Sequence, residues 1–205
     1  MSNYHRSLSG WSLRPVYGLL TLDQFLNQLA FKIWPATQFI RHKSGLLYNY
    51  EPDFIHELFG HQALLMIPEV NQVLHKLGLA SLGSDPNNLE YLASIYWYTF
   101  EVGLCLDKEG KKKILGGAVL SSIEESKIAL SDKVKTIDLD LDKIVKPEYS
   151  QSIQYSGIQP YYVVSPPIRE LCKEINDWID KNVFERKAFV PTYNDLTREI
   201  KISNK

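Results

Sequence analysis

The amino-acid sequence predicts a mostly helical single domain with small β elements, an α+β fold. Its 205 residues suit one compact domain, and no linker or internal repeat divides them. Hydrophobic residues make up 44% of the chain, which is enough to bury a core without cross-links. Most apolar residues recur at helical spacing, whereas stretches of alternating polarity are few and short.

The charge balance and the cysteine content exclude several classes of protein. The chain carries 23 Lys and Arg against 24 Asp and Glu, so no broad electrostatic field attracts nucleic acid or an anionic membrane. Two cysteines are too few for a disulfide scaffold and suit a reducing compartment. The first residues lack a signal-peptide pattern, and no run of about 18 apolar residues is present. We therefore expect a cytoplasmic protein without nucleic-acid or membrane partners.

The first strong helix is predicted over residues 22–33, where apolar side chains recur at intervals of three and four. Thr21 and Gln24 fit a capping box at its start, and Pro35 is expected to end it. Residues 37–45 then indicate extended chain or a short helical turn that leads into a loop.

Two shorter helices are predicted next in the chain. One covers about residues 54–60, because Asp53 is a favourable N-cap. The other covers about residues 68–77, and Gly78 is expected to end it.

The longest helical pattern follows the N-cap Asp85, and its apolar spacing continues as far as Leu104. A turn at Gly110 is expected between two short strands. Ser122 then opens a capping-box helix that reaches about residue 130.

The C-terminal part combines short strands, one helix and a hairpin. Residues 137–141 alternate between apolar and acidic side chains, and residues 161–164 are also typical of a strand. A helix is predicted over about residues 168–182. Residues 189–202 indicate a hairpin arm, which leaves about residues 10–188 as the core.

The densest cluster of chemically active residues is Glu51-Pro-Asp-Phe-Ile-His-Glu-Leu-Phe-Gly-His61. Zinc-protease helices carry two histidines four residues apart on one face, whereas His56 and His61 are five residues apart. Five residues of ideal α-helix rotate a side chain by about 140° net. Both imidazoles would therefore reach one metal only if the helix frays near Gly60. The alternative is a pair of partly buried, hydrogen-bonded histidines.

The candidate third ligand is Glu101, one turn beyond Trp97 on the longest predicted helix. A carboxylate at the flank of an apolar stripe is costly unless it is protonated, paired or metal-bound. Two imidazoles and one carboxylate form the facial ligand set of non-haem Fe(II) oxygenases, which leaves positions open for oxygen and a co-substrate. The alternative is a boundary glutamate that reaches water.

Six motifs occur in one order along almost the whole chain. They are Gly10-Trp-Ser-Leu-Arg-Pro-Val-Tyr-Gly-Leu-Leu20, Thr37-Gln-Phe-Ile-Arg-His42, the Glu51 to His61 segment, Gly78-Leu-Ala-Ser-Leu-Gly83, Ile95-Tyr-Trp-Tyr-Thr-Phe-Glu101 and residues 116–122. In this content and order, the sequence closely resembles the tetrahydropterin-dependent aromatic amino acid hydroxylases. The resemblance implies one hydroxylase-like catalytic domain over residues 1–205, with the hairpin arm at its end.

The resemblance also implies roles for individual residues. The residues matching the family's iron ligands are His56, His61 and Glu101, in agreement with the ligand set above. Those matching its pterin-binding positions are Val16, Gly18, Leu19, Leu20, Phe25, Glu57, Ala93 and Tyr96. Those matching its substrate-binding positions are Arg41, His42, Pro52, Asp53, Trp97 and Ser121. The expected role of Arg41 is to pair with the substrate carboxylate, and that of Asp53 is to hold this arginine in place.

The implied activity is a monooxygenase reaction that uses Fe(II), a tetrahydropterin and O₂ to hydroxylate the ring of an aromatic amino acid. Trp97 favours a phenylalanine- or tyrosine-type pocket, and we expect phenylalanine to be converted to tyrosine. From the resemblance we expect a reduced form of the domain, without the long segment that usually precedes the position of Gly10, without a regulatory domain and without a C-terminal coiled-coil helix. We therefore expect a monomer or a dimer rather than a coiled-coil tetramer.

Two alternatives to this activity are open at the level of the sequence. A non-catalytic, metal-binding relative could act as an interaction protein, which the shortened N-terminus motivates. A metal-dependent hydrolase could use Glu57 as the base for a metal-bound water, although the spacing of the two histidines counts against it.

Overall fold

The computed structural model describes residues 2–45, 51–150, 153, 157–182, 189–194 and 199–204. Its α-helices are α1 (Ser2–Ser9), α2 (Leu22–Leu29), α3 (Pro68–Ser81), α4 (Pro86–Tyr96), α5 (Gly117–Leu120), α6 (Ile123–Ala129), α7 (Leu141–Ile144), α8 (Pro147–Ser150) and α9 (Ile168–Lys181). Two π-helical segments cover His56–Gln62 and Trp97–Glu101, and short 3₁₀ turns cover Lys43–Gly45 and Leu64–Met66. The predicted fold class, mostly helical with small β elements, is confirmed.

The strands form three small sheets. Their bounds are β1 (Ser12–Pro15), β2 (Ile33–Ala36), β3 (Leu104–Leu106), β4 (Lys112–Ile114), β5 (Lys135–Asp138), β6 (Tyr161–Ser165), β7 (Phe189–Asn194) and β8 (Glu199–Asn204). β1 and β2 pair in parallel, and β7 and β8 pair antiparallel as the predicted hairpin arm. The remaining strands form one mixed sheet in the order β4-β3-β6-β5. Residues 193–197 were expected to join the two strands of the arm, and of these residues 195–197 lie outside the described residues.

The core lies between α2, α3, α4, α9 and the mixed sheet. Fully buried side chains there include Trp11, Trp34, Leu74, Phe100 and Tyr162. These large side chains fill the space between the helices and the sheet, and their burial supplies the main stabilising free energy of the fold.

The sequence predicted that Gly78 ends its helix, but α3 continues to Ser81. A Cβ at Gly78 would lie only 2.1 Å from the backbone nitrogen of Ala30, at the end of α2. The absence of a side chain at Gly78 therefore lets α3 approach the end of α2 closely. The chain turns instead at Gly83, which has a φ of +71°.

The first predicted helix is shorter than expected. It ends at Leu29, and Lys32 at φ 51° turns the chain into β2. Residues 33–36 form a strand because β1, which the sequence analysis missed together with α1, supplies a parallel partner. Likewise, Leu104 belongs to β3 and not to the preceding helix.

Several helix boundaries agree with their predicted caps. The Asp85 carboxylate accepts hydrogen bonds from the backbone nitrogens of Asn87 and Asn88 at the start of α4. The Ser122 hydroxyl accepts from the Glu125 backbone nitrogen at the start of α6. Over the described part of the chain, no helix combines the length and the apolar character that a membrane span requires.

Candidate metal centre and adjoining cleft

The two histidines approach each other because their segment is wound as a π-helix. A π-helix closes i→i+5 hydrogen bonds, so side chains five residues apart lie on one side of it. The Nε2 atoms of His56 and His61 are 2.8 Å apart. The expectation that the helix frays near Gly60 is therefore wrong. The absent side chain of Gly60 instead admits α5, since a Cβ there would lie 2.7 Å from the carbonyl oxygen of Gly117.

The third candidate ligand comes from the second π-helical segment. The backbone nitrogen of Val102 donates to the carbonyl oxygen of Trp97 at 2.9 Å, an i→i+5 bond. The same winding brings together side chains five residues apart, and the Tyr96 hydroxyl donates to Glu101 Oε2 at 2.7 Å. This bond fixes the carboxylate beside the histidines.

His56, His61 and Glu101 form one compact ligand set. Glu101 Oε1 lies 3.6 Å from His56 Nε2, and Glu101 Oε2 lies 3.4 Å from His61 Nε2. All three ligand atoms lie within 4.8 Å of one another. Two imidazole nitrogens and one carboxylate oxygen suit a divalent first-row metal, and they are the donor set of the facial triad that holds Fe(II).

Burial and mutual attraction set the protonation of the three ligands. Burial, reinforced by repulsion from His61, lowers the pKa of His56 to about 4. Burial alone would lower the pKa of His61, but the Glu101 carboxylate outweighs it and raises that pKa. Burial opposes ionisation of Glu101, yet the two imidazoles hold its pKa at about 2. Glu101 is thus an ionised carboxylate and His56 a neutral imidazole, the forms that bind metals.

Outer contacts fix the orientation of both imidazole rings. His56 Nδ1 lies 3.2 Å from the Ser121 hydroxyl, so the opposite ring nitrogen faces the other ligands. The His61 ring packs against the Trp34 ring, with their centroids 4.7 Å apart. A Cβ at Gly117 would lie 2.4 Å from His61 Cε1, so α5 closes the remaining side. Such contacts around metal-binding histidines commonly tune metal affinity.

A cleft of about 180 Å³ adjoins the candidate metal centre and includes all three ligands in its walls. The eight residues predicted to contact a pterin all line it: Val16, Gly18, Leu19, Leu20, Phe25, Glu57, Ala93 and Tyr96. Pro52 and Trp97, predicted on the substrate side, line it as well. The structure thus brings ten of the residues predicted for the pterin and the substrate to one cleft with the three candidate ligands, and their individual roles stay predictions.

The other predicted substrate residues lie outside this cleft. Arg41 is buried and donates to Asp53 through Nε at 2.8 Å and through Nη2 at 2.6 Å. Arg41 Nη1 also donates to the Ser121 carbonyl oxygen at 2.9 Å, and Ser121 in turn contacts His56. His42 is exposed. The structure therefore joins three of these four residues to one metal ligand.

Glu57 is buried, although its sequence position is equally compatible with a solvated helix face. Its Oε2 accepts from the Trp34 indole nitrogen at 2.7 Å, and its Oε1 accepts from the Thr37 backbone nitrogen at 3.3 Å. Burial raises the pKa of Glu57, which these two donors only partly offset.

Sequence reasoning missed Trp34, Thr37 and Gly117 as parts of the site. Trp34 lies between residue 33, where the predicted helix ends, and its expected stop Pro35, and nothing in the local pattern marks its indole nitrogen as a donor to Glu57. Residues 116–122 were recognised only as one of the six motifs, without a role for the two adjacent glycines. Their role in close packing depends on tertiary contacts that no local signal reveals.

Comparison with known proteins places this geometry in context. A sequence model of the biopterin-dependent aromatic amino acid hydroxylase family matches residues 1–205. The chain is 37% identical to a phenylalanine-4-hydroxylase of Dictyostelium discoideum over 203 residues, which are 98% of this chain and 44% of that protein. It is 36% identical to a tyrosine 3-monooxygenase of Drosophila melanogaster, covering 98% of this chain and 34% of that protein. The chain thus spans less than half the length of these relatives.

The fold agrees with solved structures of similar proteins. A crystal structure of Chromobacterium violaceum phenylalanine hydroxylase with bound iron(III) and 7,8-dihydrobiopterin superposes with a TM-score of 0.75 at 28% identity. The match covers 89% of this chain and 67% of that one. The paired histidines, the glutamate and the adjoining cleft therefore occur in a chain that belongs to the biopterin-dependent aromatic amino acid hydroxylase family.

Proposed function

We propose that this chain carries the centre of an iron- and tetrahydropterin-dependent monooxygenase that hydroxylates the ring of an aromatic amino acid, with phenylalanine converted to tyrosine. One observation carries the proposal: the His56, His61 and Glu101 set adjoins a cleft lined by all eight residues predicted to contact the pterin. The similarity to hydroxylases of phenylalanine and tyrosine supports it.

The ligands fit a single Fe(II) ion. His56 and His61 would supply two imidazole nitrogens and Glu101 one carboxylate oxygen, all within 4.8 Å of one another. When bound, iron together with the tetrahydropterin and O₂ supplies the oxidising power, and the protein supplies binding, orientation and electrostatics.

The cleft would hold the pterin between an aromatic ring and a carboxylate. Phe25 packs against Tyr96, with ring centroids 4.8 Å apart, and both line the cleft. Glu57 presents a carboxylate to the same space, which suits the amino and ring N–H groups of a pterin. Glycine and leucine residues between 16 and 20 would close the wall and exclude water.

The Arg41–Asp53 pair would hold the amino-acid head of the substrate. Two hydrogen bonds to Asp53 fix the plane of the Arg41 guanidinium, and a fixed guanidinium suits a carboxylate ligand. Pro52 and Trp97 border the cleft near the metal ligands, where the substrate ring would lie. Trp97 supports a phenylalanine- or tyrosine-type pocket.

The oxygenase is favoured over a metal hydrolase. All eight residues predicted to contact a pterin line the cleft, whereas a hydrolase that uses Glu57 as its base would have no need of a pterin. Membership of a biopterin-dependent family also favours a redox reaction. We propose further that the protein acts on small molecules in the cytoplasm as a monomer or a dimer.

Product analysis by mass spectrometry tests the proposal. Phenylalanine, tyrosine and tryptophan are each incubated with the protein, Fe(II), a tetrahydropterin and O₂, and each component is then omitted in turn. We expect tyrosine from phenylalanine only in the complete mixture. A folded, iron-loaded protein that forms no hydroxylated product from any of the three amino acids would favour the non-catalytic alternative.

A further inference from the structure

We propose that Trp34 is a positioning residue that holds the Glu57 carboxylate in the orientation that receives the pterin. The inference rests on the proposed function, since it assigns the cleft to a pterin. It concerns a residue for which neither the sequence motifs nor the predicted site residues give a role.

Two hydrogen-bond donors hold the Glu57 carboxylate, one within strand β2 and one directly after it. Trp34 in β2 donates its indole N–H to Oε2 at 2.7 Å, and Thr37, directly after β2, donates its backbone N–H to Oε1 at 3.3 Å. The indole bond is the shorter of the two, and Trp34 is only 1% exposed. A hydrogen bond in such a place is strong, because little water competes for it.

The position of Glu57 makes this orientation relevant to the ligand. An ionised carboxylate offers about four acceptor sites, of which the two donors occupy one on each oxygen. Glu57 and Trp34 both line the cleft, so the other acceptor sites are available to N–H donors of a bound pterin ring. Without the indole bond, the carboxylate would have to be ordered when the pterin binds, at a cost in affinity.

Trp34 also touches two other parts of the candidate site. Its ring meets the Phe25 ring edge-on, with centroids 5.6 Å apart, and it packs against His61 at 4.7 Å. Phenylalanine at position 34 would keep an aromatic ring for these contacts and would remove the donor to Glu57.

Trp11 offers a matched control in the same core. It is fully buried and meets Trp34 edge-on, with ring centroids 6.3 Å apart. Within the described part of the chain, its indole nitrogen has no hydrogen-bond partner. Trp11→Phe therefore makes the same chemical change as Trp34→Phe without removing a bond to Glu57.

Calorimetric titration with 7,8-dihydrobiopterin, at matched iron content, tests the inference. Loss of a hydrogen bond to a charged group predicts affinity weaker by roughly tenfold in Trp34→Phe. Trp11→Phe should stay within about twofold of the unaltered chain, because no bond to the carboxylate is lost. The iron affinity of both variants is measured as well, and in Trp34→Phe the loss of pterin affinity should exceed any loss of iron affinity, which separates positioning of Glu57 from general damage to the site.

A double-mutant cycle with Glu57→Gln distinguishes positioning of Glu57 by Trp34 from a general structural role of Trp34. In the Glu57→Gln background, Trp34→Phe should weaken pterin binding by less than in the unaltered background, because the two residues act together. Equal losses in both backgrounds, or equal effects of the two tryptophan substitutions, would overturn the inference. If the unaltered chain binds no pterin, the proposed function fails and the inference fails with it.

A measurement on the unsubstituted tryptophans keeps the inference testable if Trp34→Phe does not fold. In protein labelled with ¹⁵N-tryptophan, the indole resonance that moves most in Glu57→Gln identifies Trp34. We expect that resonance to shift when 7,8-dihydrobiopterin binds, and more than the resonance of Trp11. A pterin-bound spectrum in which the Trp34 resonance is unmoved would overturn the inference.

Discussion

Two buried carboxylates, four residues apart beside the first metal ligand, differ in what holds them. Asp53 is fully buried and accepts from the Arg41 side chain, from the Arg41 backbone and from the His56 backbone. Burial opposes its ionisation, but these bonds outweigh that effect and lower the pKa of Asp53. Within the described ranges, Glu57 accepts hydrogen bonds only from the neutral donors Trp34 and Thr37, and burial raises its pKa.

The difference separates a structural carboxylate from one that is poised for a ligand. Asp53 has a charged partner and a full set of donors, so its role is to orient Arg41 and the backbone at His56. Glu57 keeps acceptor sites and lines the cleft. Substitution of Asp53 should therefore reduce stability, whereas substitution of Glu57 should mainly reduce ligand affinity.

Asp53→Asn is expected to have the largest effect on stability. It removes the carboxylate charge that pairs with the buried Arg41 guanidinium, and breaking a buried pair in this way typically costs about 3–5 kcal/mol. Urea unfolding of the metal-free protein measures the change. A loss below about 1 kcal/mol, the scale of exposed pairs, would contradict the structural role of Asp53.

Iron binding should raise the free energy of unfolding by somewhat less than Asp53→Asn lowers it. At a free Fe(II) concentration 100 times the Kd, linkage predicts about 2.7 kcal/mol. Anaerobic unfolding with and without iron measures it, and His61→Ala should abolish the gain because it removes one ligand. A gain that persists in His61→Ala would place the metal elsewhere.

Gly117→Ala tests the packing behind the metal ligands. The added methyl group would lie 2.4 Å from His61 Cε1, so the ring or α5 must move. Overpacking of this kind typically costs about 1–3 kcal/mol, and a displaced imidazole should also bind iron more weakly. Leu120→Ala, an exposed change on the same helix, should leave iron affinity intact, and equal affinities in all three proteins would refute the packing argument.

Glu57→Gln should have the smallest effect on stability, about 1 kcal/mol, since a neutral amide still accepts one hydrogen bond. Its effect on 7,8-dihydrobiopterin affinity should be larger, roughly tenfold, because a charged acceptor is lost. Paired unfolding and calorimetric titrations compare the two effects. If Glu57→Gln costs as much stability as Asp53→Asn, the distinction between the carboxylates is wrong.

The sequence predicted the ligand set better than the backbone that presents it. Residue types alone indicated His56, His61 and Glu101, but ideal α-helical geometry puts the histidines on different sides. The segment that unites them is wound as a π-helix, and Gly60 within it meets α5 in a tertiary contact. Local propensity carries no information about that contact.

Helices with clear caps were predicted well, and close approaches between elements were not. Asp85 and Ser122 cap their helices by accepting hydrogen bonds from backbone nitrogens two or three residues further along the chain. These caps can therefore be predicted from the local sequence. Gly78 looked like a helix stop because the neighbouring α2 is distant in sequence. The bond from Trp34 to Glu57 spans 23 positions, and no local pattern encodes it.

Cobalt substitution tests most directly the central claim that one metal, held by both π-helical segments, shares a cleft with the pterin. We predict one Co(II) per chain, loss of binding in His56→Ala, His61→Ala and Glu101→Gln, and a change in the Co(II) visible spectrum when 7,8-dihydrobiopterin is added. Co(II) binding that survives these substitutions, or a spectrum that saturating pterin leaves unchanged, would contradict the account.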